Sequence, residues 1–266
     1  MNAVVRVEAD GVRLVADVMG SGPALLFVHG FPLDRTMWQH QLTGIDGWTR
    51  IAPDLRGAGE SAVPTGGYSM SRYADDLIQV LDAVGTQAAV CCGLSMGGYI
   101  LFELLRRHPE RVRALILCDT KSEPDTPEGK RGRDDLAGVA RRDGIGAVAS
   151  KLLPKLLGRS TAARDAAVVE TVRAMVLRSP VEGVVGALEA MRDRPDSTPL
   201  LAQIAVPTLV LVGAEDELTP PAVVRPMAER IRGARFVEIE AAGHMAPLEQ
   251  PGAVTPVLAD FLGALG

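Results

Sequence analysis

Short apolar runs that alternate with helical segments constrain the fold of this chain more than any other feature. The runs are ALLFV (24–28), TRIAP (49–53), AAVCCG (88–93), VRALILC (112–118), PTLVLVG (207–213) and ARFVEIE (234–240). Near-continuous apolar character is typical of strands buried on both faces, hence of a parallel sheet. Two further β-type segments, 3–9 and 12–19, flank an Asp10-Gly11 hairpin signal. The pattern predicts an α/β sandwich with a mostly parallel eight-stranded sheet.

The strand series is interrupted after the sixth strand. Between Cys118 and Val206 no β-type run occurs, and four amphipathic patterns follow one another at 134–143, 145–157, 161–178 and 181–193. An insert at this position lies over the strand ends where ligands bind in open α/β sheets. We therefore predict a helical cap over residues 121–199 and an α/β core formed by residues 1–120 and 200–266. The polar stretch that opens the insert, DTKSEPDTPEGKRGRDD (119–135), predicts a solvated loop.

Net charge and cysteine content indicate which binding partners and which cellular compartment to expect. A formal net charge of −5 gives no general attraction to nucleic acid or to anionic membranes, and no apolar run is long enough to span a bilayer. Cys91, Cys92 and Cys118 lie in apolar runs, and their spacing matches neither a zinc site nor a disulfide framework. With no signal-peptide pattern at the start of the sequence, we expect a cytoplasmic protein that binds neither nucleic acid nor membranes.

The stretch CCGLSMGGY (91–99) places Ser95 among three glycines, directly after an apolar strand. A serine on a sharp strand-to-helix turn needs very small residues two positions before and after it, and Gly93 and Gly97 supply them. The N-terminus of the following helix offers backbone N–H groups to a developing oxyanion. Glycine packing around a serine N-cap is the alternative, but the strand-turn-helix context favours a nucleophile.

A serine nucleophile needs a base, and the sequence contains four histidines. His244 follows the last strand on a glycine-containing loop before the final helix, where it can reach the serine. His29 is the second candidate, although its position at a strand end favours a role in bracing the loop. His40 lies in a polar segment, and His108 follows a helix, where helix capping is its simplest role.

The base in turn needs a carboxylate that orients it. Asp216 is favoured because it follows a buried strand and gives the chain order serine, aspartate, histidine. Asp119, after an earlier strand, and Glu215 remain alternatives.

Five motifs in this order resemble those of the α/β-hydrolase fold family, and the similarity covers nearly the whole chain. They are VHGFPLD (28–34), DLRGAGES (54–61), GLSMGGY (93–99), GAEDELTPP (213–221) and AGHMAPLEQP (242–251). The resemblance implies that Ser95 is the nucleophile, His244 the base and Asp216 the acid. It also implies an oxyanion hole made by the backbone N–H groups of Phe31 and Met96, and no metal or organic cofactor.

Within that family the sequence favours a hydrolase of carboxylic esters. An enol-lactone hydrolase resembling 3-oxoadipate enol-lactonase is an alternative, and it predicts an inward-pointing arginine from the cap, such as Arg131, Arg178 or Arg192. A cofactor-free perhydrolase is another, because Pro32 follows the expected oxyanion residue, as in those enzymes. A non-catalytic binding protein of the same fold is the remote alternative.

The expected substrate is a small or medium ester or lactone. Apolar residues near the three predicted catalytic groups are candidates for its pocket: Phe31, Pro32, Trp38, Leu218 and Met245. The sequence leaves a homo-oligomer open.

Overall fold

The computed structural model describes residues 2–265, and within them eight strands form one sheet in the order β1-β2-β4-β3-β5-β6-β7-β8. The strands are β1 (Asn2–Ala9), β2 (Val12–Met19), β3 (Ala24–Val28), β4 (Thr49–Asp54), β5 (Ala89–Leu94), β6 (Val112–Cys118), β7 (Thr208–Gly213) and β8 (Arg235–Ile239). β2 pairs antiparallel with both β1 and β4, and all the other pairs are parallel. The prediction of a mostly parallel α/β sheet is confirmed.

Helices connect the strands and cover both faces of the sheet. They are α1 (Gln39–Gly44), α2 (Met70–Ala83), α3 (Met96–Arg107), α4 (Pro127–Leu156), α5 (Arg159–Arg164), α6 (Ala166–Leu177), α7 (Val181–Arg192), α8 (Pro221–Glu229), α9 (Ala246–Glu249) and α10 (Pro251–Gly263). None of the helices in residues 2–265 combines the length and the apolar character that crossing a membrane requires.

Alternation along the buried strands divides the core into two clusters. In β3, Leu26 and Val28 join the cluster that contains residues of α2 and α3, whereas Leu25 and Phe27 join the cluster that contains residues of α10. Every residue of β3 is buried, as expected for a central parallel strand. Two covered faces leave the carboxyl ends of the strands as the edge where loops carry functional groups.

Helices α4 to α7 follow the sixth strand, as the sequence predicts. The break between the first two amphipathic patterns is a kink at Gly144, whose φ of 77° interrupts α4. The expectation of a solvated loop over 119–135 is wrong, because α4 already begins at Pro127 and Asp125 is buried. Proline at the first helical position fits the start of a helix, and Thr126 caps it by accepting a hydrogen bond from the Gly129 N–H.

Helix α7 packs directly on the loop that follows β4. A Cβ atom on Gly183 would lie 1.9 Å from the Gly57 carbonyl oxygen, and a Cβ atom on Gly186 would lie 2.4 Å from the ring of Tyr68. Only glycine leaves room for this approach, since larger residues would push the helix outward. The contact fixes α7 above the carboxyl edge of the sheet.

Candidate active site

Ser95 lies on a tight turn between β5 and α3. Its φ of 53° and ψ of −112° are outside the regions that non-glycine residues ordinarily occupy, which is typical of a functional strand-to-helix turn. A Cβ atom on Gly93 would lie 2.6 Å from the Gly97 carbonyl carbon, and one on Gly97 would lie 2.3 Å from the Val28 carbonyl oxygen. The two glycines that the sequence singled out therefore fill the positions where a side chain would clash.

Neighbouring strands and loops hold this strained turn in place. The Ser95 N–H donates to the Cys118 carbonyl across 2.9 Å, and the Ser95 carbonyl accepts from the Thr120 hydroxyl across 2.8 Å. Ser95 is partly exposed, whereas its neighbours Leu94 and Met96 are buried. The turn thus presents one side chain at the surface of an otherwise packed edge.

His244 and Asp216 meet in a buried hydrogen bond. The distance from His244 Nδ1 to Asp216 Oδ2 is 2.8 Å, and the two residues are 2 % and 3 % exposed. Because a carboxylate can only accept, the proton of the neutral imidazole lies on Nδ1, which leaves Nε2 as a base. The sequence proposed these two residues as partners, and the fold brings them together from loops 28 positions apart.

The surroundings of Asp216 stabilise its charged form. Burial opposes ionisation, but the charge and hydrogen bond of His244 and the hydrogen bonds of Thr219 outweigh it, so the pKa of Asp216 lies below its usual value. Oδ1 accepts the N–H groups of Leu218 and Thr219 across 2.8 and 3.0 Å, and Oδ2 accepts the Thr219 hydroxyl across 2.6 Å. A carboxylate with this set of donors is ionised and fixed in orientation.

Asp119, the alternative acid, is in a different state. It is fully buried, Oδ1 accepts the Gly213 N–H across 2.8 Å, and Oδ2 has no partner among the described residues. Burial, reinforced by the negative charge of Asp216, raises the pKa of Asp119 well above its usual value. The surroundings of Asp119 therefore favour its protonated form, and within residues 2–265 no hydrogen bond joins it to His244.

The other candidates from the sequence lie elsewhere. His29 Nε2 accepts the Leu55 N–H across 3.0 Å and Nδ1 lies 2.9 Å from the Gly30 carbonyl, so this ring ties its loop to the end of β4. His108 pairs with Asp75, and His40 is exposed. Glu215 binds the helical insert through Ser160, and the hydrogen bonds from Ser160 lower the pKa of Glu215.

Two backbone N–H groups are free beside Ser95. Met96 begins α3 directly after the serine, and Phe31 lies on the loop after β3, joined to Pro32 by a cis peptide bond. Within residues 2–265 neither N–H group has a hydrogen-bond acceptor. A Cβ atom on Gly30 would lie 2.7 Å from the Leu94 side chain and 3.5 Å from the Ser95 Cβ, so glycine brings this loop against the serine turn. Donors in this arrangement can stabilise an oxyanion.

A small cavity of about 20 Å³ adjoins these donors. Phe31, Pro32 and Met96 line it from the core, and Val184 and Ala187 line it from α7. Its walls are mainly apolar, and its volume suits about one water molecule or a small alkyl group. The cavity therefore offers an apolar pocket of limited size between the insert and the candidate oxyanion donors.

The structure brings only part of the predicted pocket to this cavity. Phe31 and Pro32 line it, but Trp38 is fully buried against Phe27, with ring centroids 5.0 Å apart. Trp38 and Met245 both belong to the core cluster that contains residues of α10, whereas Phe31, Met96 and Val184 belong to the other cluster. We therefore assign Trp38 and Met245 to the core, and Leu218, which is 39 % exposed, to the protein surface.

The three candidate arginines of the insert all pair with carboxylates. Arg131 pairs with Glu128, and Arg192 pairs with Asp134 and Asp193. Arg178 pairs with Asp34 across 2.6 Å at the start of a 3₁₀ turn, with nearly half of its side chain exposed. None of these three arginines lines the cavity beside the candidate oxyanion donors, as far as residues 2–265 describe it.

Two residues that support the candidate catalytic groups were not predicted from the sequence. Thr219 donates to Asp216 through both its N–H and its hydroxyl, and Glu249 binds the backbone on both sides of His244. A signal for Glu249 was present: it is an acidic residue on a short apolar segment, APLEQP (246–251), between two prolines. An acid in such surroundings indicates a buried carboxylate with specific donors.

Comparisons with known proteins identify the family of the chain. A family model described as alpha/beta hydrolase fold matches residues 23–251. The structure of a thermophilic esterase from Thermogutta terrifontis is 42 % identical, covers 99 % of each chain and has a TM-score of 0.94. The enol-lactonase structure from Burkholderia xenovorans is 30 % identical over 97 % of this chain and 100 % of that chain, with a TM-score of 0.91. The 3-oxoadipate enol-lactonase 2 of Acinetobacter baylyi is 29 % identical over 87 % of this chain and 85 % of that protein.

Proposed function

Since the chain belongs to the alpha/beta hydrolase fold family, we propose that it cleaves carboxylic esters through an acyl-enzyme on Ser95. The observation that carries the proposal is the buried Nδ1-to-Oδ2 hydrogen bond between His244 and Asp216, on the same edge of the sheet as the strained serine turn. A buried histidine with one ring nitrogen fixed by an ionised carboxylate is the arrangement that activates a serine.

The proposed reaction uses each group in one role. His244 Nε2 removes the proton of the Ser95 hydroxyl as the oxygen attacks the ester carbonyl carbon. The tetrahedral oxyanion accepts hydrogen bonds from the N–H groups of Phe31 and Met96. Protonated His244, stabilised by Asp216, gives its proton to the leaving alcohol, and water then hydrolyses the acyl-enzyme by the same steps.

The cavity beside the oxyanion donors supports a short substituent next to the ester carbonyl. Its volume of about 20 Å³ and its walls from Val184 and Ala187 favour an acetyl or propionyl group over longer chains. We also propose that residues 121–199 act as a cap on a core formed by 1–120 and 200–266, because α7 supplies part of this wall.

Hydrolysis of an enol-lactone is the second candidate, and the named enol-lactonases among the relatives favour it. The ion pairs of Arg131, Arg178 and Arg192 weigh against it, because a substrate with carboxylates needs an unpaired cation. Perhydrolysis stays an alternative because Pro32 lines the cavity. A non-catalytic binding role does not account for the buried hydrogen bond between His244 and Asp216.

We propose a small-molecule ester as the binding partner and a cytoplasmic location. The three free thiols, Cys91, Cys92 and Cys118, support a reducing compartment.

A panel of p-nitrophenyl esters and lactones, assayed with and without hydrogen peroxide, tests this proposal. Purified protein should hydrolyse the acetate ester fastest, and Ser95→Ala should abolish that activity. Preferential turnover of an anionic lactone would favour the lactonase alternative. Peroxide-dependent activity that exceeds hydrolysis would favour a perhydrolase, and wild-type turnover by Ser95→Ala would contradict the proposed function.

A further inference from the structure

Glu249, at the end of α9, binds three backbone N–H groups with a single buried carboxylate. Oε1 accepts from Gly243 across 2.9 Å and from Met245 across 3.0 Å, and Oε2 accepts from Gly158 across 2.8 Å. Glu249 is only 6 % exposed. A buried carboxylate is tolerated when several donors replace its hydration, and these three contacts meet that requirement.

The three donors come from two functional segments. Gly243 and Met245 are the residues on either side of His244, so one carboxylate oxygen accepts backbone N–H groups from both sides of the histidine. Gly158 lies between α4 and α5 in the helical insert. Glu249 therefore joins the backbone of the His244 loop to the backbone of the insert.

Close backbone packing leaves this loop dependent on its hydrogen bonds. A Cβ atom on Gly243 would lie 2.1 Å from the Gly158 nitrogen, and one on Gly213 would lie 2.1 Å from the Gly243 carbonyl oxygen. The loop thus lies between the end of β7 and the insert, where its backbone contacts the glycine backbone of both neighbours. The position of the His244 loop at this interface is set by hydrogen bonds. Glu249 accepts two of those that the loop donates.

We infer that Glu249 is a positioning residue for His244: it fixes the imidazole over the serine turn and couples that position to the insert. The inference rests on the proposed function. It predicts that loss of the carboxylate displaces the base without changing the apolar cavity, so kcat falls while KM for a small ester stays near its wild-type value.

Three substitutions separate positioning from simple support of the fold. Glu249→Ala removes all three bonds. Glu249→Gln retains one carbonyl oxygen for Gly243 and Met245 but turns an NH₂ group toward the Gly158 N–H, so it preserves the loop contact and loses the contact to the insert. Ser160→Ala is the matched control, because it removes a 2.6 Å hydrogen bond between the same part of the insert and Glu215 and leaves Glu249 unchanged.

The experiment measures kcat and KM for p-nitrophenyl acetate, together with thermal unfolding, for wild type, these three variants and Ser95→Ala. Assays are run at a temperature where every variant is folded. We expect Glu249→Ala to lose about 10- to 100-fold in kcat, since a displacement near 1 Å can have this effect. Glu249→Gln should recover most of the loss, to within about fivefold of wild type, and Ser160→Ala should keep the wild-type kcat.

Wild-type kcat in Glu249→Ala, or an equal loss in Ser160→Ala, would overturn the inference. If Glu249→Ala does not fold, Glu249→Gln decides the matter: a two- to fivefold lower kcat at constant KM supports positioning, and an unchanged kcat overturns it. An inactive Ser95→Ala combined with unchanged Glu249 variants would overturn this inference alone. A fully active Ser95→Ala would overturn the proposed function and this inference with it.

Discussion

The Nδ1 atom of His244 lies 2.8 Å from the Oδ2 atom of Asp216, and both side chains are almost completely buried. Asp119, directly after β6, has a different environment: burial and the negative charge of Asp216 raise its pKa well above its usual value, whereas the pKa of Asp216 is lowered. The pKa values of the two aspartates are therefore shifted in opposite directions. This difference leads to two of the predictions below.

Removing the charge of Asp216 should disable the base. Asp216→Asn presents an NH₂ group or a weaker acceptor to His244 Nδ1, which disfavours the correct tautomer, and we expect kcat to fall by about 10⁴-fold. Asp119→Asn is the matched control: an amide resembles the protonated acid that burial favours at this position, so its kcat should stay within about threefold of wild type. Steady-state kinetics on p-nitrophenyl acetate check both values, and the opposite ranking would make Asp119 the catalytic acid.

Asp119 should also impose a pH dependence on stability. In the folded protein its pKa is raised, so between the unfolded and folded pKa values the native state holds a proton that the unfolded state has released. Stability from this group is complete below the unfolded pKa and is lost as pH rises toward the folded value, by up to about 1.4 kcal/mol per pH unit. The Asp119→Asn variant has no carboxyl proton to release at this position, so its stability should not fall with pH in this way.

Urea denaturation of wild type and Asp119→Asn at several pH values between about 5 and 7 measures the effect. The free energy of unfolding of the variant, relative to wild type, should rise with pH. A difference that stays constant over this range would show that Asp119 is ionised in the folded protein.

The cavity on α7 should set acyl-chain preference. Val184→Ala removes two methyl groups from its wall, so kcat/KM for a butyrate ester should rise by about five- to tenfold relative to the acetate ester. Ala187→Val fills the cavity and should shift the ratio the other way. Val185→Ala is the matched control, since Val185 is also buried on α7 and does not line this cavity. An equal shift in the control would assign the effect to loosening of the helix.

The ion pair of Arg178 with Asp34 should exclude this arginine from substrate recognition. If so, Arg178→Gln changes KM for a neutral acetate ester and for a carboxylate-bearing lactone by the same factor, within about twofold. A KM that rises by more than tenfold for the anionic lactone alone would identify Arg178 as its ligand and favour the lactonase alternative. Arg131→Gln, which alters an exposed arginine paired with Glu128, is the control.

The sequence was most informative where local geometry decides the residue. Gly93 and Gly97 were identified because no side chain fits on either side of a sharp turn, and the apolar run of β3 ends at the same residue, Val28, in the sequence pattern and in the structure. Gly144 likewise separates two amphipathic patterns at the kink in α4. Such signals depend on residues close in sequence, so they can be read without the tertiary structure.

Features that depend on contacts between residues distant in sequence were harder to predict from the sequence. Trp38 is a large aromatic residue of the kind that lines pockets, but its ring packs on Phe27 in the core. No local sequence pattern distinguishes a pocket residue from a core residue at this position. Asp125 belongs to a polar stretch, yet it is buried because Arg133 and Arg194 reach it from elsewhere in the insert. The charge state of Asp119 and the three donors of Glu249 are also products of the assembled fold.

Intact-mass spectrometry after reaction with a fluorophosphonate tests the central proposal, an activated nucleophile at Ser95, most directly. The reagent acquires a covalent bond only to a serine whose proton is removed by a neighbouring base. Wild type should gain the mass of one phosphonyl group, peptide mapping should place it on Ser95, and His244→Ala should slow the labelling by about 10³-fold or more. Labelling at another residue, or labelling that His244→Ala leaves unchanged, would contradict it.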